Sequence, residues 1–330
     1  MQTTATKSAD GKSYVLSGQK MWITNGTTDG VSTGGNNTPR KLDCQGGNVG
    51  LLKRGWHQKS LVSSKGARSC TLHSQKKKEL PLRRGGIIAA PLFFALPPSN
   101  LAVGPLLDAF LVYARTGPKR GDVSSFLVEK NAPGFTLGQK VADKCGMRAS
   151  PTAELVFDQV AVDARDALVG EENKAALCMM RNLEIERITL AAMSLGIARA
   201  SVDAMNRYAS ERSAFGQHLS SFGQIQRHIA DSYAEYMAGR SYVYDVARRL
   251  DLDSVGNGLD ADGVKLFCGA VGKNCADRAI QVLGGYGYVG EYHVERLWRD
   301  AKLLEIGGGT NEAHHKNMVR DLKRNPGLLK

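Results

Sequence analysis

The pattern of apolar and polar positions divides the chain into a strand-rich part, an unpatterned segment and a helical part. Alternation with a period of two indicates strands with one buried face. It predicts strands over 14–18, 20–24, 109–114, 124–130, 153–157 and 160–162, the first two forming a hairpin after turn residues at 10–12. Short strands separated by turns are typical of an antiparallel β barrel or sandwich. We therefore predict an interrupted β domain formed by residues 1–29 and 108–165.

From about residue 172 onward, apolar residues recur at helical spacing. The predicted helices cover 173–212, 225–250, 260–283, 295–304 and 311–322, with glycine-rich breaks at 284–285 and 307–309. Long amphipathic helices with short connections favour a four-helix bundle. The predicted fold class is therefore α+β, with the β domain followed by a C-terminal helical bundle over residues 166–330.

Residues 30–107 show neither period. So long a segment without secondary structure is unusual inside a compact domain, and we predict an irregular, disordered, basic insertion. It contains seven Lys and five Arg against Asp43 and Glu79, which gives +10 of the net charge of +12. A translated intron is one interpretation. A basic loop that binds nucleic acid or an anionic membrane is the alternative, and it ranks lower because basic and aromatic residues do not alternate there.

The overall composition excludes several classes of protein. A length of 330 residues allows two domains, and 42% hydrophobic residues is ordinary for a globular protein. We expect no membrane-spanning helix and no signal peptide, because no stretch combines the required length and apolarity. The six cysteines form no CxxC pair and have no zinc-ligand spacing, which favours a reducing compartment and predicts no metal site.

One stretch of the first long helix, residues 182–196 (NLEIERITLAAMSLG), places carboxylates next to an apolar run. Glu186 lies beside Arg187 and directly before that run. A carboxylate in such surroundings is poorly solvated, so Glu186 is a candidate base. Glu184 points to another side of the helix and is a weaker candidate. The alternative is a surface carboxylate that pairs with Arg187.

Several short motifs resemble those of the acyl-CoA dehydrogenases, in the same order along the chain. They are KMWITNG at 20–26, CGMRASPT at 145–152, RSAFGQ at 212–217, QVLGGYGY at 281–288 and RDAK at 299–302. The resemblance extends over residues 8–28 and 109–322. It implies a middle β domain and a C-terminal four-helix bundle with FAD between them, usually in a homotetramer. It also implies that the family's N-terminal helical domain is missing here.

The resemblance implies oxidation of an acyl-CoA to the 2-enoyl-CoA, with electrons passed to an electron-transfer flavoprotein. Branched-chain members carry the base on this helix just before an Arg, as Glu186 stands here. Most others carry it in a late loop, at the position of Gly308 in this chain. We therefore expect Glu186 to remove the α-proton of a short branched-chain acyl-CoA, similar to isovaleryl-CoA, while FAD takes the β-hydride.

Alternatives are a long-chain or other acyl-CoA dehydrogenase, or a non-catalytic relative that acts as an assembly unit. The family resemblance suggests the mitochondrial matrix in eukaryotes and the cytoplasm in bacteria. Nucleic acid is not favoured as a partner.

The same resemblance assigns the remaining site residues. Those expected to contact FAD are Trp22, Ile23, Thr24, Arg212, Phe215, Gln281, Val282, Leu283, Gly284, Gly285, Thr310, Asn311 and Glu312. Glu184, Arg187, Gly308 and Gly309 are expected beside the substrate. Without the family motifs, a core Trp, a helix-end Arg, a helix C-cap and an N-cap at Thr310 would explain several of these residues. His314 and His315, which lack a third ligand, are expected on the surface.

Overall fold

A computed structural model describes residues 3–24, 109–251 and 256–327 of the chain. The predictions for the basic segment 30–107 lie outside these ranges. The main sheet contains β1 (Thr4–Lys7), β2 (Ser13–Thr24), β3 (Ala109–Arg115), β4 (Val123–Glu129), β5 (Phe135–Lys140), β6 (Thr152–Asp163) and β7 (Leu168–Val169). A separate two-stranded hairpin consists of β8 (Ser213–Ala214) and β9 (Gln217–His218).

The seven strands of the main sheet follow the order β5-β6-β2-β1-β3-β4-β7. All neighbours pair antiparallel except β1 and β3, which run parallel where Thr4 faces Arg115. The predicted fold class, with antiparallel strands before the helices, is therefore confirmed. The described strands form an open sheet with β5 and β7 at the edges rather than a closed barrel.

The N-terminal hairpin differs from the prediction. The turn at 8–12 joins β1 to β2, and the stretches 14–18 and 20–24 belong to the single strand β2. The pairing of β2 with β6 shifts register between Leu16 and Gly18, and Gly18 has a φ of 136°. A residue in this conformation interrupts the alternation of side chains, so one irregular strand has the sequence pattern of two.

A similar interruption explains why the sequence pattern predicts two strands, 153–157 and 160–162, where the structure has the single strand β6. Gln159 has a φ of 52°, and the strand continues on both sides of it.

The inward-facing residues of the sheet form one apolar core. Its largest members include Tyr14, Leu16, Phe110, Phe126, Val128, Phe135 and Phe157.

The helices are α1 (Ala164–Ala167), α2 (Ala175–Glu211), α3 (Gly223–Arg249), α4 (Gly258–Leu283), α5 (Val294–Leu304) and α6 (Asn311–Arg324). The five predicted helices are confirmed to within two residues at each end. α4 packs against α2, α3, α5 and α6, and it is therefore the centre of the helical part.

α2 buries one face against α4 and α3. Ile188, Ala191, Leu195 and Ala198 recur at helical spacing along that face and are buried. By length and composition alone α2 could cross a membrane, so the expectation that no stretch reaches this length was too strong. A single such helix is weak evidence for a membrane, because the core helix of a bundle passes the same test.

The loop that precedes β6 docks on α5. The Arg299 guanidinium donates to the Cys145 carbonyl at 2.9 Å, and the Met147 backbone N–H donates to the Asp300 carboxylate. Gly146 lies so close to the Arg299 carbonyl that a side chain has no room there. Two motifs far apart in sequence therefore meet at the contact between the sheet and the helices.

Candidate functional site

The candidate base, Glu186, lies on α2 and is half-buried. Burial raises the pKa of its carboxyl, and the nearby positive charges of Arg187 and Lys265 oppose that rise. Within the described part of the chain, no hydrogen bond to this carboxylate contributes to the shift. A carboxylate that is poorly solvated and not hydrogen-bonded is free to accept a proton from a bound molecule.

Gly308 lies next to Glu186. A Cβ placed on Gly308 would lie 3.8 Å from Glu186 Oε1. Gly308 has a φ of 65°, and the side chain of Leu190 occupies the space that a side chain at this position would need. The helix position and the late-loop position of the sequence interpretation are therefore neighbours in space, and only the helix position carries a carboxylate.

Arg187 faces the protein interior rather than the surface. Its guanidinium lies 2.9 Å from Asp262 Oδ1, and both side chains are largely buried. It also donates to the Gly308 carbonyl at 3.4 Å. The alternative of a surface ion pair is wrong for Arg187. The residue ties α2 to both α4 and the turn at 307–309.

Three further buried residues, which the sequence analysis did not single out as site residues, complete this arrangement. His314 Nε2 donates to the Gly309 carbonyl at 2.9 Å, and His314 Nδ1 lies 2.6 Å from Asp262 Oδ1. Lys265 Nζ donates to the same carbonyl at 2.6 Å. We call Arg187, Asp262, Lys265 and His314 the buried charge cluster.

The prediction that His314 lies on the surface is wrong, because its side chain is 0% exposed. His315 is exposed, as expected. Periodicity could have distinguished the two. On α6, His314 lies three residues after Asn311 and four before Met318, on the same side of the helix. The pairing with Asp262 has no signal in the sequence.

Glu184 faces the start of α4. It is buried, and its carboxylate accepts a hydrogen bond from the Asn257 backbone N–H at 3.3 Å. A carboxylate at a helix N-terminus interacts favourably with the helix dipole. This contact accounts for Glu184 as a structural residue, and its expected role beside the substrate stays a prediction.

The residues at the end of α4 separate into core and surface. Val282 and Leu283 pack with Met205 and Val294 in the helical core, so any cofactor contact there would be through the main chain. Gln281 is exposed. Gly284 and Gly285 are also exposed, and a Cβ on either would meet nothing within 4 Å.

Arg212 lies near the turn that follows α4. Its guanidinium carbon is 5.7 Å from the ring centre of Tyr286. Phe215 projects from the β8–β9 hairpin with 96% of its surface exposed and a φ of 50°. Arg212 and the glycine turn are therefore close together, while Phe215 extends into solvent.

The start of α6 carries three of the predicted residues. The Thr310 hydroxyl accepts a hydrogen bond from the Ala313 N–H at 3.3 Å, which confirms the N-cap. Glu312 is exposed. Asn311 Oδ1 is buried and has no hydrogen-bond partner among the described residues. Buried oxygens normally have a partner, so Asn311 offers an acceptor to a bound molecule.

The strand end carrying Trp22, Ile23 and Thr24 pairs with the start of β6. The side chain of Ile23 packs against the sheet core. The side chains of Trp22 and Thr24 lie outside the described residues, so their flavin contacts stay predictions.

The described residues fit a dinucleotide such as FAD. A guanidinium suits a pyrophosphate, exposed glycines allow a close approach to the main chain, and Asn311 offers a free acceptor. Within residues 3–24, 109–251 and 256–327, no group of three or more His, Cys, Asp or Glu side chains could hold a metal ion.

Comparison with known proteins agrees with the family resemblance found in the sequence motifs. Residues 176–323 match the C-terminal domain and residues 100–160 the middle domain of acyl-CoA dehydrogenase. The chain is 42% identical to the mitochondrial isovaleryl-CoA dehydrogenase of Oryza sativa subsp. japonica over 221 residues, which cover 66% of this chain and 53% of that protein. It is 39% identical to the cyclohexane-1-carbonyl-CoA dehydrogenase of Geobacter metallireducens over 220 residues, which cover 66% and 57%.

Among solved structures, the butyryl-CoA dehydrogenase from Megasphaera elsdenii aligns with a TM-score of 0.69 and 30% identity. The alignment covers 98% of this chain and 63% of that chain. The chain thus spans about half the length of the curated relatives that it matches.

Proposed function

The chain belongs to the acyl-CoA dehydrogenase family, and we propose that it oxidises the Cα–Cβ bond of a short branched-chain acyl-CoA, similar to isovaleryl-CoA, to the 2-enoyl-CoA. The observation that carries this proposal is the position of Glu186. Its carboxylate is half-buried, has a raised pKa and lies against Gly308, the site of the alternative base. The helix position and the late-loop position at which family members carry the base are thus neighbours in space, and only the helix position holds a carboxylate here.

The proposed step begins at the α-carbon of the thioester. A carbonyl makes the α-proton weakly acidic, so its removal needs a positioned base. Glu186 accepts this proton as the Cα–H bond breaks, and the electron pair forms the Cα=Cβ bond while the β-hydrogen leaves as a hydride. FAD, when bound, supplies the acceptor for that hydride. The substrate loses one proton and one hydride, and no other reactant is needed.

The surroundings of Glu186 strengthen it as a base. Burial raises the pKa of the Glu186 carboxyl and so strengthens it as a base, while the charges of Arg187 and Lys265 favour its ionised form. Arg187 donates to the Gly308 carbonyl and so fixes the turn beside Glu186. An acyl chain bound against this turn would exclude further water.

The residues proposed to hold FAD lie at two places, Arg212, Gly284 and Gly285 at the far end of α4 and Asn311 at the start of α6 beside the turn at 307–309. Arg212 would pair with the pyrophosphate, Gly284 and Gly285 would allow close approach, and Asn311 would use its free acceptor. The exposed Phe215 supports a contact with the cofactor of a neighbouring copy in a homotetramer. We also propose that Trp22 and Thr24 line the flavin ring.

The wider assignments are proposals on the same basis. The family resemblance supports transfer of electrons to an electron-transfer flavoprotein. The mitochondrial relative at 42% identity supports a location in the mitochondrial matrix. We retain the division into a β domain over 1–29 and 108–165, an irregular basic insertion over 30–107 and a bundle over 166–330.

The test is flavin reduction by defined thioesters. The full chain is loaded with FAD, and its visible spectrum is followed without oxygen after addition of isovaleryl-CoA. We expect bleaching, and E186Q should slow it by about 10²–10⁴-fold, the usual contribution of a positioned base. The control is D203N, which neutralises an exposed carboxylate on the same helix.

Two outcomes would contradict the proposal. E186Q that bleaches as fast as the parent would place the base elsewhere. A flavin-loaded chain that no acyl-CoA bleaches would exclude the activity and leave a non-catalytic assembly unit. A panel that adds cyclohexane-1-carbonyl-CoA and a long-chain acyl-CoA identifies the preferred acyl group, because relatives of this chain differ in it.

A further inference from the structure

The turn at 307–309 is held from three helices by the buried charge cluster. Arg187 of α2 donates to the Gly308 carbonyl, while Lys265 of α4 and His314 of α6 both donate to the Gly309 carbonyl. The proposed mechanism uses Arg187 to fix this turn and assigns no role to the two hydrogen bonds on the Gly309 carbonyl. The cluster therefore needs an explanation of its own.

Lys265 is the most unusual member. Its side chain is 1% exposed, and burying an ammonium costs free energy unless good partners replace water. Burial, followed by the repulsion of Arg187, lowers the pKa of Lys265 to about 8. No carboxylate among the described residues lies within salt-bridge distance of Lys265, and the contact that fixes its ammonium is the Gly309 carbonyl. Packing alone would be served better by an apolar side chain.

His314 acts on the same carbonyl. Its two ring nitrogens face oxygen acceptors, the Asp262 carboxylate on one side and the Gly309 carbonyl on the other. A Cβ on Gly309 would lie 3.0 Å from the His314 ring, so the glycine allows this close approach.

We propose that Lys265 is a positioning residue for Glu186. With His314 it holds the Gly309 carbonyl, which keeps the turn at 307–309 against the Glu186 carboxylate, and its positive charge favours the ionised form of the base. The inference rests on the proposed role of Glu186. The charged groups that surround Lys265 are Glu186 and Arg187 from α2, Asp262 from α4 and Glu305 after α5, and the titratable His314 from α6 bonds the same carbonyl.

The first test compares K265M with K273M in the full chain. Met matches the length of Lys but neither donates nor carries charge, and Lys273 lies two turns farther along α4 and is less buried. We expect amide hydrogen exchange in the turn at 307–310 to accelerate at least about tenfold in K265M, the factor that a charged hydrogen bond contributes. K273M should leave exchange unchanged. Equal exchange in both variants would overturn the positioning role.

The second test reads the charge coupling without any enzyme activity. The free energy of unfolding is measured against pH for four proteins, namely the wild type, E186Q, K265M and the double variant. The effect of E186Q is then compared with and without Lys265. We expect E186Q to stabilise the K265M background more at neutral and alkaline pH. The gain should begin at the same unfolded-state pKa in both backgrounds and should continue to a higher pH in K265M than in wild type. A merely structural role of Lys265 predicts the same pH dependence in both backgrounds, which would overturn the inference.

The third test needs no change at Lys265, in case K265M fails to fold. The ε-carbon of Lys265, labelled with ¹³C, is titrated by NMR in the wild type and in E186Q. Because coupling between two titrating groups is reciprocal, loss of the Glu186 charge should move the Lys265 titration to lower pH. An unchanged titration would contradict the coupling.

These readouts separate the inference from the proposed function. If no acyl-CoA reduces the flavin while exchange and titration change as expected, the dehydrogenase proposal fails and the Lys265–Glu186 coupling stands. If acyl-CoA reduces the flavin, the rising limb of kcat/KM against pH should move to higher pH in K265M. A limb that stays in place, with unchanged exchange, would leave Lys265 without a positioning role.

Discussion

The two ends of α4 differ in their surroundings, because one end is buried among charged groups and the other is exposed. Near its start, Asp262 and Lys265 are buried and bonded to groups from α2, α6 and the turn at 307–309. At its other end, Gly284 and Gly285 are exposed and lie close to Arg212, three residues before the exposed Phe215. The difference teaches that this chain preorganises the surroundings of its candidate base by itself. The surface that carries the candidate cofactor residues, in contrast, is exposed and is left for a cofactor or another copy of the chain to cover.

The largest expected effect breaks the buried end. D262A leaves Arg187 and His314 without their shared carboxylate, and removal of one partner of a buried ion pair typically costs about 3–5 kcal/mol. Urea unfolding measures the loss. The control is D231A, whose exposed pair with Arg227 should contribute about 0–1 kcal/mol. Similar losses in the two variants would mean that the buried charge cluster is not a special source of stability.

At the open end, two neighbouring glycines should behave differently. Gly284 has a φ of 59° and a ψ of −133°, a conformation that is strained for other residues, so G284A should cost about 1–3 kcal/mol. G285A has space and no such strain, so it should be nearly neutral in stability. If the main chain here faces a phosphate, G285A should still weaken FAD retention. Unchanged retention would argue against a close approach at Gly285.

A third prediction concerns the projecting side chain. F215A should leave the melting temperature nearly unchanged, because 96% of the side-chain surface is already in water. Should another copy or a cofactor cover this surface, FAD retention or assembly should fall about tenfold, as for a residue central to an interface. Size-exclusion chromatography with light scattering and the flavin-to-protein ratio measure both. No change in either would make the exposed end an ordinary surface.

The smallest expected effect is the pH dependence set by Glu186. Burial raises the pKa of this carboxyl, so the folded state holds a proton more tightly than the unfolded state. Stability should therefore fall as pH rises from the unfolded pKa through the folded one, and E186Q should remove that decrease. Thermal unfolding of both proteins across this range tests it. Parallel curves would mean that Glu186 is not desolvated.

Periodicity predicted the helices well because each long helix buries a continuous stripe. The strands were predicted less well, because Gly18 and Gln159 interrupt the alternation without ending the strand. Turn chemistry alone could not distinguish a bulge from a true turn. The extra strand β5 was missed because most of its residues after Phe135 are only partly buried or exposed, so the alternation is weak.

The candidate site shows the same limit. Glu186 was accessible to sequence reasoning because its signal is local, a carboxylate before an apolar run. Lys265 and Asp262 were not, because a charge on α4 looks the same in sequence whether it faces water or a partner from another helix. The pairing of His314 with Asp262 spans 52 residues, and only the fold brings the two together.

The contact between the loop before β6 and α5 has a thermodynamic consequence. Arg299 and Asp300 bond to backbone groups of that loop, and Gly146 presses directly on the α5 main chain. The loop before β6 and α5 therefore both lose hydrogen bonds when either of them unfolds. We expect the sheet and the bundle to melt in one calorimetric transition, and R299A to separate it into two.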